Sequence, residues 1–145
     1  MNCTIEIKHK YNTSSNNIWD ILKTGNNVDK WFPFIASCDL TGEGVGAKRI
    51  CKTQEGHTIA ESIITIDEDD KIFTYIIDHH NLDTPTKNIW GRMQVLNEND
   101  ETYVHWKLNF DLTQKLDDQL YIELEDGMKD LLQSGLVQLE MVATS

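Results

Sequence analysis

Thr102-Tyr103-Val104-His105-Trp106-Lys107-Leu108-Asn109-Phe110-Asp111 alternates without a break. Val104, Trp106, Leu108 and Phe110 share one face of an extended chain, and Tyr103, His105, Lys107 and Asn109 share the other. One face is dry and one is wet, the pattern of an antiparallel strand with a single buried side. The period then changes. Residues 117–142 read as one long helix. Asp117 and Asp118 suit its first turn, where the helix dipole favours negative charge. Leu120, Leu124, Met128, Leu131, Gly135 and Leu139 recur every three or four residues as an apolar stripe. Gly127 and Gly135 lie on or beside that stripe. Glycine inside a helix costs ~1 kcal/mol against alanine, so two of them predict a close approach to the backbone or a bend. A dry sheet face and the amphipathic helix after it cover each other.

Upstream, period-2 segments near 34–41, 46–54, 57–66, 71–79 and 86–96 precede the strand at 102–111. Turn chemistry separates them: Gly42-Glu43-Gly44, Glu55-Gly56, Asp67-Glu68-Asp69-Asp70, Asp83-Thr84-Pro85 and Asn97-Glu98-Asn99-Asp100. Such short connections join antiparallel neighbours, so the segments form a meander. Residues 3–11 alternate as a further strand. Thr13-Ser14-Ser15 offers an N-cap to a short helix carrying Ile18, Trp19, Ile21 and Leu22, and Gly25 fits its C′ position. Asn26 or Asn27 caps a second short helix, which Pro33 stops. The predicted order is strand, two short helices, six strands and a long helix: an α+β chain with a curved, seven-stranded antiparallel sheet round its C-terminal helix. A three-residue turn at Gly56 predicts Cys51 opposite Glu61, with Arg49 diagonal to Glu61 on the same face.

The whole chain, residues 1–145, reads as one domain, long enough for a core without a metal or disulfide staple. It carries 13 basic and 24 acidic residues, a formal charge of -11, which argues against nucleic acid and anionic lipid surfaces as partners. No apolar run reaches the ~20 residues of a membrane span, and Met1-Asn2-Cys3-Thr4-Ile5-Glu6 lacks the form of a signal peptide. Cys3, Cys38 and Cys51 are odd in number and share no metal spacing, so they read as unpaired, half-buried residues of a reducing, cytoplasmic compartment. No metal and no cofactor are expected. The glycines at 42, 44 and 46 precede a strand rather than a helix, which excludes a phosphate loop. No nucleophile elbow or zinc-hydrolase spacing is present.

Several stretches carry a family resemblance. They are Ile18-Trp19-Asp20-Ile21-Leu22, Trp31-Phe32-Pro33-Phe34-Ile35-Ala36-Ser37-Cys38, Gly42-Glu43-Gly44-Val45-Gly46-Ala47-Lys48-Arg49, Glu61 ahead of Asp67 to Asp70, Lys87-Asn88, and Glu125-Asp126-Gly127-Met128 to Gly135-Leu136. In this order and spacing the chain resembles the polyketide cyclase/dehydrase-like branch of the SRPBCC superfamily, the START and birch-pollen-allergen group. The resemblance implies the helix-grip fold, β-α-α-β6-α, and a cavity between sheet and long helix for an apolar or amphipathic guest. The plant abscisic-acid receptor branch also looks similar. It holds a ligand carboxylate with a lysine where this chain has Phe32, and it has a proline-containing gate where this chain has Gln54-Glu55-Gly56-His57.

Alternation and the family pattern together place Phe34, Arg49, Cys51, Glu61, Ile63, Tyr75, Ile77 and His79 on the inner wall. Ile89, Gly91, Met93, Trp106, Leu108 and Phe110 continue it, and Trp31, Phe32, Leu124, Met128, Leu131 and Gly135 form the lid side. The same residues would serve a filled core, so sequence leaves a hollow and a solid interior both open. Arg49 and Glu61 read as a charge pair that, with Tyr75, fixes the polar end of a ligand or simply braces the sheet edge. The expected function is binding or transport of a small hydrophobic or amphipathic molecule (lipid, aromatic or polyketide-like) by a monomer or weak homodimer. The alternative is a cyclase or dehydratase using Glu61, Tyr75 or His79 as acid or base.

Overall fold

In the computed structural model, which describes residues 1–144, ten elements follow one another. They are β1 (Asn2–Tyr11), α1 (Ser15–Leu22), α2 (Val28–Trp31), β2 (Ile35–Thr41), β3 (Lys48–Thr53), β4 (Thr58–Asp67), β5 (Ile72–His80), β6 (Thr86–Glu98), β7 (Glu101–Leu112) and α3 (Asp118–Ala143). One antiparallel sheet runs β1-β7-β6-β5-β4-β3-β2. This is the predicted helix-grip architecture, with the meander intact and β1 returning to pair with β7.

Local chemistry explains the element ends. The Ser14 hydroxyl accepts from the Asn17 N–H and starts α1. That helix closes at Lys23, so Gly25 stands one position beyond the expected C′. Asn27, in the left-handed region, is the N-cap of α2, without a side-chain capping bond. The Asp117 carboxylate accepts from the Leu120 N–H and starts α3. Along β7 the buried and half-buried residues alternate from Glu101 to Asp111, as the sequence pattern requires.

Three expectations need correction. The first is the register of β3 and β4. Arg49 lies directly opposite Glu61, and Cys51 opposite Ile59. The Thr53 N–H donates to the His57 carbonyl, which leaves Gln54, Glu55 and Gly56 as the loop. Gly56 sits at φ 88, so it takes the left-handed last position of the hairpin rather than its centre. That slides the pairing by two residues and brings both charges face to face.

The second correction concerns His79. Ala60 pairs with His79, but Glu61 pairs with Ile77, so Asp78 is an extra residue in β5. A bulge of one residue reverses inward and outward beyond it. His79 is therefore exposed, and His80 turns inward to bond the Thr86 carbonyl at 2.9 Å.

The third concerns cysteine. Cys38 and Cys51 face each other across β2 and β3 and form a disulfide, so only Cys3 is free. Spacing along the chain, 13 residues, carried no signal of that pairing. Among the described residues, no helix is long and apolar enough to cross a membrane.

The core is not uniform along α3. Leu132, Gly135, Leu136 and Leu139 are buried, packing with the sheet and the short helices into a solid end. Leu120, expected to start the buried stripe, is 49% exposed. Leu124, Met128 and Leu131 are only half-buried. The first half of the helix covers something other than packed side chains.

A hollow beneath the first half of the long helix

A cavity of about 390 Å³ lies there, bounded by α2, the inner faces of β3 to β7 and residues 123–132 of α3. That volume falls within the range of small-molecule sites. The walls are mainly aliphatic and aromatic.

Of the residues predicted for the wall and lid, fifteen line the hollow: Trp31, Phe32, Phe34, Arg49, Cys51, Glu61, Tyr75, Ile77, Ile89, Met93, Trp106, Leu108, Leu124, Met128 and Leu131. Five do not, Gly91 among them, because the Tyr75 ring covers it. Ile63 and Phe110 are 0% exposed and belong to the solid core. His79 is turned out by the β5 bulge. Gly135 is covered by aromatic rings: a Cβ built there would stand 2.9 Å from Phe32 Cδ1. The close approach predicted for a helix glycine thus occurs at Gly135 and shapes the hollow's end rather than its wall. Ile59 and Phe73 also line it, although strand parity with Glu61 and Tyr75 already pointed to them. Glu55, His57, Asp83 and Glu123 were missed, because three sit in or next to turns read only as separators.

Aromatic packing closes the α2 side. Trp31 stacks on Phe32 at 5.7 Å between centroids, and both meet Trp106 of β7 edge-on, at 5.9 and 5.4 Å. Phe34 continues the series at 5.8 Å from Phe32. Edge-to-face pairs of this kind add roughly 0.5–1.5 kcal/mol each beyond their buried area.

The polar part of the wall is small and tightly organised. Arg49 Nε donates to Glu61 Oε1 at 2.6 Å, and Arg49 Nη1 donates to the Gly25 carbonyl at 3.0 Å. Arg49 is 5% exposed and Glu61 9%, so each would be costly alone and each makes the other tolerable. The guanidinium also lies 5.4 Å from the Phe73 ring centroid and 5.2 Å from that of Tyr75. Gly25 is required at φ 66, with Ile63 packed against the space a side chain would need.

Tyr75 completes the group. Its hydroxyl accepts from Trp106 Nε1 at 3.1 Å. Burial, reinforced by the Glu61 charge, pushes its ionisation well above the ordinary tyrosine range. It is therefore a neutral hydrogen-bond donor, and among the described residues no acceptor takes its proton. The ring lies over Gly91, directly opposite on β6, where any Cβ would collide with it. Gly91 is thus a seat for the tyrosine.

The rim differs from the wall. Glu55 of the β3–β4 loop, Asp83 of the β5–β6 loop and Glu123 of α3 bring three exposed carboxylates to the mouth. His57 Nε2 lies 3.4 Å from Asp83 Oδ2 and ties the two loops together. His80 holds the second loop from within, accepting from the Leu82 N–H at 3.0 Å.

Solved structures with this architecture are similar over 99% of the chain. An uncharacterized protein from Bacillus thuringiensis superposes with a TM-score of 0.80 at 22% identity, with all of that chain covered. Major latex-like protein 151 from Panax ginseng gives 0.80 at 21%, with 98% of that chain covered. Norcoclaurine synthase from Thalictrum flavum, solved with dopamine and hydroxybenzaldehyde, gives 0.76 at 12% and 87%. At these identities the likeness establishes the fold alone. No curated protein sequence matches the chain. The family model described as polyketide cyclase/dehydrase and lipid transport does match, over residues 3–144, and so the chain belongs to that family.

Proposed function

We propose that this protein binds and carries one small hydrophobic or amphipathic molecule, of lipid, aromatic or polyketide-like character, in the hollow under α3. The observation that supports the reading most is the lining itself: about 390 Å³ walled mainly by aliphatic and aromatic side chains, with one neutralised charge pair, the Tyr75 hydroxyl and Thr86 as buried polar points. Burying about 300 Å² of apolar guest is worth about 7 kcal/mol by area. Association and ordering costs consume much of that, so micromolar affinity is expected. The Arg49–Glu61 pair fixes Tyr75 through the ring contact, and Tyr75 donates to an oxygen of the guest. A guest carboxylate gains little from Arg49, whose charge Glu61 already balances.

Acid–base catalysis finds less support. His79 points to solvent, Glu61 is held by Arg49, and Tyr75 is poorly disposed to release a proton. Native mass spectrometry of freshly purified protein tests the binding reading, together with titration by the neutral, polarity-sensitive dye Nile red. A retained small molecule, or saturable dye binding weakened at least threefold by Tyr75→Phe, supports it. A stable chain that retains nothing and binds no dye overturns it.

A further inference from the structure

The rim of the hollow carries information that its wall does not. Glu55, Asp83 and Glu123 come from three separate elements and converge on one mouth. Asp83 is almost fully exposed on its side chain and, among the described residues, meets His57. Among the described residues no lysine lines the hollow, and the one arginine that does is already balanced by Glu61. A second observation lies deeper. Arg49 is only 5% exposed, and one of its terminal nitrogens, Nη2, makes no protein hydrogen bond among the described residues. The Tyr75 proton is likewise unspent. The inside therefore offers donors to a neutral oxygen, whereas the three exposed carboxylates make the mouth negative, with His57 set against one of them.

Charges that bracket a low-dielectric opening act on whatever passes it. A carboxylate or phosphate would meet like charge at the rim and an already neutralised arginine within. A protonated amine would meet opposite charge at the rim and need not enter. We infer that the preferred guest is a cationic amphiphile, whose apolar body and neutral oxygen lie inward against Tyr75 and whose ammonium group stays at the mouth among Glu55, Asp83 and Glu123. This rests on the binding proposal above and narrows it to a chemical class.

A matched series separates the two claims. Decylamine, decanol and decanoate share one apolar body, and each displaces Nile red from the purified protein at pH 8. At low salt the amine is expected to bind at least tenfold more tightly than the carboxylate, with the alcohol between them. The combined variant Glu55→Gln, Asp83→Asn, Glu123→Gln should bring amine and carboxylate within about threefold, chiefly by weakening the amine. Raising salt to half molar should narrow the gap in the unmodified protein, since surface charges are screened over a few ångströms at that strength. Equal affinities across the series, or a preference for decanoate, would overturn the inference while leaving the hollow as a binding site. Failure of Nile red itself to bind would sink the binding proposal instead.

Discussion

The two halves of α3 make opposite uses of one helix. From Gly135 to Leu139 its buried face meets the sheet and the short helices with no room to spare, and Leu136 and Leu139 are 0% exposed. From Glu123 to Leu132 the same helix roofs a hollow, and Leu124, Met128 and Leu131 stay half covered and half free. The solid half gives the chain its stability. The open half forgoes tight packing, and the difference shows what the fold has set aside for a guest. Side chains bordering a void have no dispersion partner on that side, and only an occupant supplies one.

The largest effect is expected from the buried charged pair in the open half, Arg49 and Glu61. Arg49→Met leaves the Glu61 carboxylate buried and unpaired, which typically costs about 3–5 kcal/mol. Urea denaturation at pH 7 measures it. The double variant Arg49→Met, Glu61→Gln should recover most of the loss, because it removes the uncompensated charge. If Arg49→Met alone proves nearly neutral, the pair is not holding the open half together.

Truncation then separates the halves directly. Leu136→Ala should cost about 2–5 kcal/mol, as expected for a fully packed leucine. Met128→Ala, already facing empty space, should cost under about 1 kcal/mol and instead weaken dye binding. Thermal denaturation and dye titration of the two variants read both quantities. Equal destabilisation would erase the distinction.

Much of the fold was legible in the sequence, the division along α3 was not, and both outcomes have physical causes. Alternation in β7 gave the inner face of Trp106, Leu108 and Phe110 correctly, because a strand's period is fixed. It could not tell which of these meets a void. Phe110 is solid core and Leu108 is wall, although only one outward residue separates them. His79 was misplaced because a bulge leaves no mark in composition. The pairing of Cys38 with Cys51 follows from the register of β2 and β3, which depends on how the 42–47 connection between them is wound. The acidic rim was invisible because carboxylates in turns look like ordinary solvated punctuation. They become a feature only when two loops and a helix meet.

Alkaline pH compares a tyrosine from each half. Tyr11 donates to the Leu136 carbonyl at 2.9 Å in the solid half, and Tyr75 sits in the wall of the open one. Burial raises the ionisation of both above the unfolded value near 10. The sign follows: below pH 10 both states are neutral and the stability is complete. Above it the unfolded chain loses protons first, and stability falls by up to about 1.4 kcal/mol per pH unit for each tyrosine until the folded groups ionise. Tyr11→Phe and Tyr75→Phe should each flatten the decline between pH 10 and 12, measured by urea titration at fixed pH. An unchanged slope in Tyr75→Phe would mean that water in the hollow already reaches the phenol.

The two helix glycines give the smallest effect and the cleanest contrast, because the expected signs differ. At Gly135 an added methyl meets Phe32 at 2.9 Å and Trp31 at 3.4 Å. Those rings are locked against Trp106, so relief must come from moving an aromatic cluster, and overpacking of that kind costs about 1–3 kcal/mol. At Gly127 the same methyl finds nothing within 4 Å. Alanine there should gain up to about 1 kcal/mol from helix propensity alone. It should also intrude on the hollow, so Gly127→Ala is expected to raise Tm slightly while reducing the affinity for Nile red. A stabilised variant with unimpaired binding would show that the guest does not use the space beside Gly127. A destabilised one would show that the open half is held by backbone freedom at this glycine rather than by the space around it.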